Sequence, residues 1–373
     1  MSRGIAAALS AALAVAASPA GAQVRIEYVA HASFVVESPG GVRALVDPYN
    51  GTRWLGYSFP ARLDADVVLV SHPHYDHDAS YYAPAQAPVL RAPGAYAFSD
   101  LSVTGIAGRH AEPWGQEFGG TNTLWLIETG SLRIAHLGDT GPLSEASLRA
   151  LGTVDVLMLP VDDQDHILKR AEILAIRSAL RPAVTVPMHY RLAELTRLPD
   201  SLGTIDGWLA EQRNVVRLGS HATVLRERPA EPQVLLLSAS PAVKPWPREL
   251  FEAFEHRSRA RALAEKPEGR EAAIAERRRA AELSPTALFV FELARALADA
   301  GREAEAVGVL EPLLAGAGGD DWEMTARARD LLAGLYARRG DRERAAQQYR
   351  LVLRDEPRHE LRARAEAFLT APR

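Results

Sequence analysis

Three imidazoles and two carboxylates are packed into eight residues, Ser71-His72-Pro73-His74-Tyr75-Asp76-His77-Asp78, directly after the apolar run Asp66-Val67-Val68-Leu69-Val70. The run fits a buried strand, and ligands placed just past its end can converge on one point without burying unpaired charge. In an extended chain His72 and His74 point the same way. Asp76 and His77, where the chain turns, can face a second ion one short step away. The stretch therefore reads as a metal site rather than as a solvated loop carrying surface histidines, because histidine is a preferred zinc ligand. Cysteine is absent from the sequence, so a thiol nucleophile, thiolate ligands and a disulfide framework are excluded, and nitrogen and oxygen must hold the metal.

The His-x-His-x-Asp-His pattern of His72, His74, Asp76 and His77 resembles that of the metallo-β-lactamase superfamily. Gly108-Arg109-His110, Leu137-Gly138-Asp139-Thr140 and Val186-Pro187-Met188-His189-Tyr190 follow in the family's order. The resemblance covers residues 24 to 225. Within the superfamily it points to the branch that includes the ascorbate-6-phosphate lactonase type, through Ala30-His31-Ala32-Ser33-Phe34, Asp47-Pro48, Ile134-Ala135-His136-Leu137-Gly138-Asp139 and Pro187-Met188-His189-Tyr190.

The resemblance implies a four-layer αββα sandwich and a dinuclear site. His72, His74 and His110 would take one ion, Asp76, His77 and His189 the other, and Asp139 would bridge both, with Asp76 and His77 counted as catalytic. This donor set suits two Zn²⁺, and equally Mn²⁺ or Fe²⁺. A shared water on such ions ionises near neutral pH, and the ions polarise a carbonyl or phosphoryl oxygen. The expectation is a hydrolase that uses this hydroxide on an ester, lactone, amide or phosphodiester bond of a small molecule.

Around these ligands lies a second group of candidates. His31, after the first strand, reads as a pocket or supporting residue by resemblance, and equally as a packed hairpin histidine. Asp47-Pro48 either orients a ligand histidine or forms a simple Asx turn. Tyr190 is placed over the site, and His166 and Trp54 are expected to touch substrate; Tyr57 and Phe59, in the same loop as Trp54, fit either pocket or core. His136 should face away from Asp139 by strand alternation and be structural. The segment Val161-Asp162-Asp163-Gln164-Asp165-His166 departs from the related branch. Its extra carboxylates, if they face the pocket, disfavour an anionic substrate.

Beyond this domain, Pro229, Pro232, Pro241, Pro245 and Pro247 mark a linker over 229–249, followed by an Ala-, Arg-, Glu- and Leu-rich helical region over 250–373. Taking Gly301 and Gly340 as turn glycines places Leu293, Ala294, Leu297, Ala306 and Leu310, and again Leu332, Ala333, Tyr336, Ala345, Tyr349 and Pro357, at tetratricopeptide packing positions. Such helix pairs need neighbours to cover their apolar faces, so they should dock on the first domain or on a protein partner. From residue 241 onward 24 Lys/Arg are balanced by 23 Asp/Glu. With a net charge of −4 overall, nucleic-acid binding is not favoured.

Residues 1–22, with Arg3, an Ala-rich apolar stretch and Ala20-Gly21-Ala22, read as a signal peptide, which predicts a periplasmic or secreted bacterial protein without a stable membrane anchor. The hydrolase domain is then 23–228. A chain ending near 240 is expected to keep its metals and activity, since every proposed ligand precedes 190. Two rival functions stand beside the hydrolase. One is an adaptor in which the repeats bind a partner and the metal organises the fold. The other is a phosphodiesterase or nuclease, which wants a basic pocket rim that the sequence does not show.

Overall fold

The structure, a computed structural model, describes residues 23–196, 198, 202–316, 321–355 and 359–371. The segment read as a signal peptide and Pro357 lie outside the described residues.

Strands β1 (Val24–Ala30), β2 (Ser33–Glu37), β3 (Arg43–Val46), β4 (Val67–Leu69) and β5 (Val89–Leu90) build most of a first sheet. The second sheet contains β6 (Gly94–Phe98), β7 (Leu101–Arg109), β8 (Thr121–Thr129), β9 (Leu132–His136), β10 (Val156–Pro160), β11 (Val184–Met188) and β12 (Val215–Arg217). Strand β13 (Ala222–Leu225) returns to the first sheet and β14 (Gln233–Leu236) to the second. The orders are β13-β1-β2-β3-β4-β5 and β12-β14-β11-β10-β9-β8-β7-β6. Apolar residues of both sheets, among them Ile26, Phe34, Leu45 and Val67 from the first and Trp125, Ile134, Leu157 and Val186 from the second, form one continuous buried core. Two sheets each burying one face against the other is the sandwich solution. Helices α1 (Glu145–Leu151) and α2 (Arg170–Leu180) are the crossovers of the parallel run β9-β10-β11, and α3 (Asp206–Ala210) precedes β12.

The linker expectation needs correction. Residues 233–236 form β14, paired in parallel with β11 and β12, and Val234 is fully buried. The prolines on either side punctuate a core strand, so the first domain extends past 228.

The region from 248 onward is helical throughout its described part: α4 (Arg248–Ala264), α5 (Arg270–Leu283), α6 (Ala287–Asp299), α7 (Glu303–Gly316), α8 (Trp322–Arg338), α9 (Arg342–Asp355) and α10 (His359–Thr370). The helices pack as successive pairs α4/α5, α6/α7 and α8/α9, with α10 closing on α9. Gly301 and Gly340 occupy the turns inside the second and third pairs with φ +75° and +80°, a conformation that favours glycine. Leu293, Ala294, Leu297, Ala306 and Leu310, and Leu332, Ala333, Tyr336, Ala345 and Tyr349, are all buried, as the repeat reading requires. Among the described residues no helix is long and apolar enough to cross a membrane.

The two parts are joined through the loop after β3. Arg53, 6 % exposed, donates from Nε to Asp321 Oδ2 at 2.6 Å and from Nη1 to Glu323 Oε2 at 2.8 Å, both acids standing at the start of α8. The Trp246 indole donates to Gly51 O, Trp246 N donates to Gly56 O and Ser58 N to Lys244 O.

Candidate metal centre

Strand ends from both sheets deliver the side chains to one place. Parallel pairing of β3 with β4 brings the residues after each strand together, and Asp47 N donates to Leu69 O. Thr123 N donates to Ser71 O and His189 N to His31 O, which ties the metal-motif loop and the β1-β2 turn to the second sheet. Asp139, Asp162 and His189 follow β9, β10 and β11 at the carboxyl ends of parallel strands, the edge where α/β sheets place their ligands. Gly138 has φ +54°, and a Cβ there would lie 2.5 Å from Ser71 Cβ and 2.6 Å from Asn122 Oδ1, so only glycine admits this approach of the Asp139 loop to the motif loop.

The seven expected ligands come together. His72, His74 and His110 form one cluster of potential donors; Asp76, His77 and His189 form another, which also contains His31; His72, His77 and Asp139 form the group between. Asp139 lies 3.2 Å from both His77 Nε2 and His189 Nε2, and 3.9 and 3.8 Å from His72 Nε2 and His110 Nε2. This central carboxylate is in the position a bridging ligand needs.

The far side of each ring decides which nitrogen faces the centre. His77 Nδ1 donates to Asp47 Oδ2 at 2.8 Å, and His110 Nδ1 to the Ala111 carbonyl at 2.8 Å. His72 Nδ1 donates to Ser71 Oγ, which in turn donates to Asp47 Oδ2. In each case Nε2 is left with its lone pair inward, the arrangement that ligating histidines require. Nε2 of His77, His110 and His189 and Oδ1 of Asp139 are buried yet make no hydrogen bond within the protein. Convergent buried donors of this kind fit divalent cations.

Charge in the cluster follows from the same geometry. Burial works against ionised Asp139, yet His189 and His77 hold its carboxyl well below the usual range. Burial also opposes ionised Asp76, and His77 and His31 outweigh it in the same direction. Burial lowers His72, with His77 adding to the effect, whereas Asp139 and Asp76 overcome burial and raise His77. Burial, then His189, pushes His31 down to about 4. His31 is thus a neutral imidazole whose Nε2 lies 3.2 Å from Asp76 Oδ2, with its ring 4.2 Å from that of His189. It stands in the site and is not a remote hairpin residue.

Three residues at this edge, His31, Asp47 and His189, adopt left-handed backbone with φ of +57°, +43° and +61°. Asp47 is more than a turn residue: it accepts from Ser71 N, Ser71 Oγ and His77 Nδ1. Asp47→Ala is expected to weaken metal binding about 10- to 100-fold by freeing the His77 ring, measured by competition with a chromophoric chelator.

His166 lies over His189 with ring centroids 5.7 Å apart, and Trp54 and Trp114 pack on it at 6.2 and 5.5 Å. Trp54 also meets His31 edge-on at 6.0 Å. His166 and Trp54 thus lie together beside His31 and His189, joined by Trp114, 46 % exposed, which sequence reasoning passed over. Phe118 was missed as well; its ring lies 4.9 Å from His74 and 5.9 Å from both His72 and His110. The aromatic spacing after His110 was the available signal. Tyr57 and Phe59 are core residues, packed with Tyr49.

Two placements differ from expectation. Tyr190 does not lie over the site: it is buried in the domain core with its hydroxyl against Tyr28. Asp162 and Asp163 do not serve as acidic pocket groups. Asp162 accepts from the backbone N–H groups of Gln164, His166 and Gly203, while Asp163 accepts from those of Gly207 and Trp208 and from Arg170 and Thr204. Short carboxylates with several backbone donors are turn and cap groups, so these two carboxylates do not stand against an anionic substrate. His136 behaves as foreseen: fully buried, it donates from Nε2 to Ala32 O and accepts Gly138 N at Nδ1.

Residues 25–189 match the family described as Beta-lactamase superfamily domain. A metal-dependent hydrolase of Carboxydothermus hydrogenoformans is 27 % identical over 193 residues, covering 45 % of this chain and 84 % of that protein. A metal-dependent hydrolase of Thermoplasma acidophilum is 26 % identical over 197 residues, covering 47 % and 86 %. A metallo-β-lactamase superfamily structure from Thermotoga maritima aligns at 25 % identity with a TM-score of 0.46, over 58 % of this chain and all of that one. The N-terminal domain has the metallo-β-lactamase α/β sandwich, followed here by a helical domain.

Proposed function

We propose that this protein is a metal-dependent hydrolase that cleaves an ester, lactone, amide or phosphodiester bond of a small molecule at the Asp139 centre. The observation that carries the reading is the seven-residue donor set gathered at Asp139, in which the buried Nε2 atoms of His77, His110 and His189 make no hydrogen bond within the protein. A structural zinc closes with four ligands, so seven donors are more than fold maintenance requires, which disfavours the adaptor reading.

When bound, a pair of divalent ions would supply a water ionised near neutral pH and polarise the scissile carbonyl or phosphoryl oxygen. His72, His74 and His110 would hold one ion and Asp76, His77 and His189 the other, with Asp139 between. The protein's own groups do the rest. Asp47 fixes the His77 ring, Gly138 lets the Asp139 loop close on the motif, and Trp54, Trp114 and His166 form an apolar wall that excludes water and seats the substrate. A neutral His31 can donate a hydrogen bond from Nε2 to Asp76 and so orient that carboxylate without adding charge to the centre. Lactones are kept in the substrate class because of the likeness of the His31 hairpin and the Met188-His189-Tyr190 segment to the lactonase-type branch.

The test is a substrate panel of esters, lactones, phosphodiesters and β-lactams. Chelation should remove activity by more than about 100-fold, and Zn²⁺ or Mn²⁺ should restore it. Turnover that survives complete metal removal, confirmed by elemental analysis, would sink the proposal.

A further inference from the structure

The basic rim absent from the first domain is supplied by the second. Between the two lies a cavity of about 1160 Å³, walled by Arg53, Trp54 and Tyr75 from the metal domain and by α4, α5, α6 and α8 from the helical domain. Seven arginines line it against four carboxylates, which leaves a cationic surplus although the helical region as a whole is balanced.

Several of those arginines are committed. Arg53 is held by Asp321 and Glu323, Arg257 makes a forked pair with Glu292, Arg259 bonds to Glu276, and Arg327 reaches Glu323. Arg277 and Arg295 have no hydrogen bond or ion pair among the described residues. Arg261 reaches only the already shared Glu292, at 3.8 Å. Burial and then Arg257 hold the Arg261 guanidinium below its ordinary value, with Arg277 adding to the crowding. The acids left to face these groups are Glu255 and Asp299 on the rim. Like charges gathered in a concavity raise the local concentration of anions.

The cavity reaches the surroundings of the metal centre through Trp54 and Tyr75. Trp54 lines the cavity and also packs on His31 and His166. Tyr75 sits between His74 and Asp76 in the metal motif with the Arg53 guanidinium 4.6 Å over its ring. Arg261, Arg277 and Arg295 line the same cavity as Trp54 and Tyr75.

We propose that this interdomain cavity is the subsite for the anionic end of the substrate, a carboxylate or phosphate group recognised by Arg277, Arg295 and Arg261 while the scissile bond lies at the metal centre. The proposal rests on the hydrolase reading for the second half of that statement only. The helical domain is then a substrate-recognition wall of the enzyme. The volume exceeds the span usual for small-molecule sites, leaving room for a substrate longer than the group that reacts.

The test uses the full-length, metal-loaded protein and two weakly chelating probes, glutarate for the carboxylate arm and glycerol 3-phosphate for the phosphate arm, titrated by calorimetry. Both the wild type and Asp139→Ala should bind the preferred probe. Arg277→Gln/Arg295→Gln, shown folded by circular dichroism, should lose at least about tenfold in affinity, roughly the contribution of one charge-assisted hydrogen bond. The probe that binds more tightly identifies the anion.

Hydrolysis is read separately with 4-nitrophenyl butyrate and the mono-4-nitrophenyl ester of glutaric acid, which share the ester and differ in a distal carboxylate. The ratio of kcat/KM for the acidic over the neutral ester should fall about tenfold in the double variant. Undiminished binding in the arginine variant, or binding lost only in Asp139→Ala, would overturn the subsite. Normal probe binding with neither ester cleaved would instead count against the hydrolase reading.

Discussion

Asp139→Ala should leave at most one tightly bound metal ion and reduce hydrolysis by at least about 1000-fold, whereas His136→Ala, three residues earlier, should keep both ions. Asp139 stands within 3.9 Å of four candidate ligand nitrogens, two from each cluster. Removing it separates the two halves of the centre and leaves the imidazoles without the charge that offsets two cations. His136 is bound on both ring nitrogens to backbone groups, so its loss costs about 1 to 3 kcal/mol of stability through unsatisfied Ala32 O and Gly138 N. Elemental analysis with thermal melts separates the two outcomes. Two ions retained in folded Asp139→Ala would show that the bridging assignment is wrong.

Arg53→Ala should destabilise the whole chain by about 3 to 5 kcal/mol, and a chain ending near 240 should also be less stable than the first domain within the full chain. The variant leaves Asp321 a buried charge without its ion-pair partner at the start of α8, while Glu323 keeps Arg327; the truncation removes both acids that hold Arg53. The truncated chain also loses the Trp246 and Lys244 contacts that close residues 51–58, the loop that carries Trp54. The expectation that the first domain would act alone is therefore revised. Its ligands all precede residue 190, but the loop that walls its pocket is held from beyond 240. Calorimetry should give a melting point lowered on the order of 10 °C in Arg53→Ala. An unchanged melt in Arg53→Ala would mean that the interdomain ion pairs are dispensable.

The metal centre was legible in the sequence because most of its information is local. Four ligands lie within six residues, the others follow short glycine-containing or strand-end motifs, and ligand chemistry restricts the residue types. Strand ends were also legible wherever β-branched runs stopped at polar residues, as at Ser33–Glu37 and Leu132–His136. Strands β6 and β7 were not, because Gly94, Ala95, Ala97, Gly105, Ala107 and Gly108 replace the bulky residues that mark a strand, and the pairing with β8 supplies what propensity does not. Strand β14 was hidden by prolines that flank it without interrupting it. The arginine cavity could not be read at all. Its residues come from separate helices of near-neutral overall charge, and the clamp that closes it joins positions 268 and 270 apart.

The left-handed conformations of His31, Asp47 and His189 carry a consequence for the evolution of stability in this fold. Each costs about 1 kcal/mol or more relative to a residue without a Cβ, and each is spent at a position that touches the metal centre. Selection for heat resistance alone should therefore drift toward glycine or asparagine at these sites and yield sturdier molecules that hold metal poorly. Libraries screened for both traits should show these positions refusing to change while neighbouring loops accumulate substitutions.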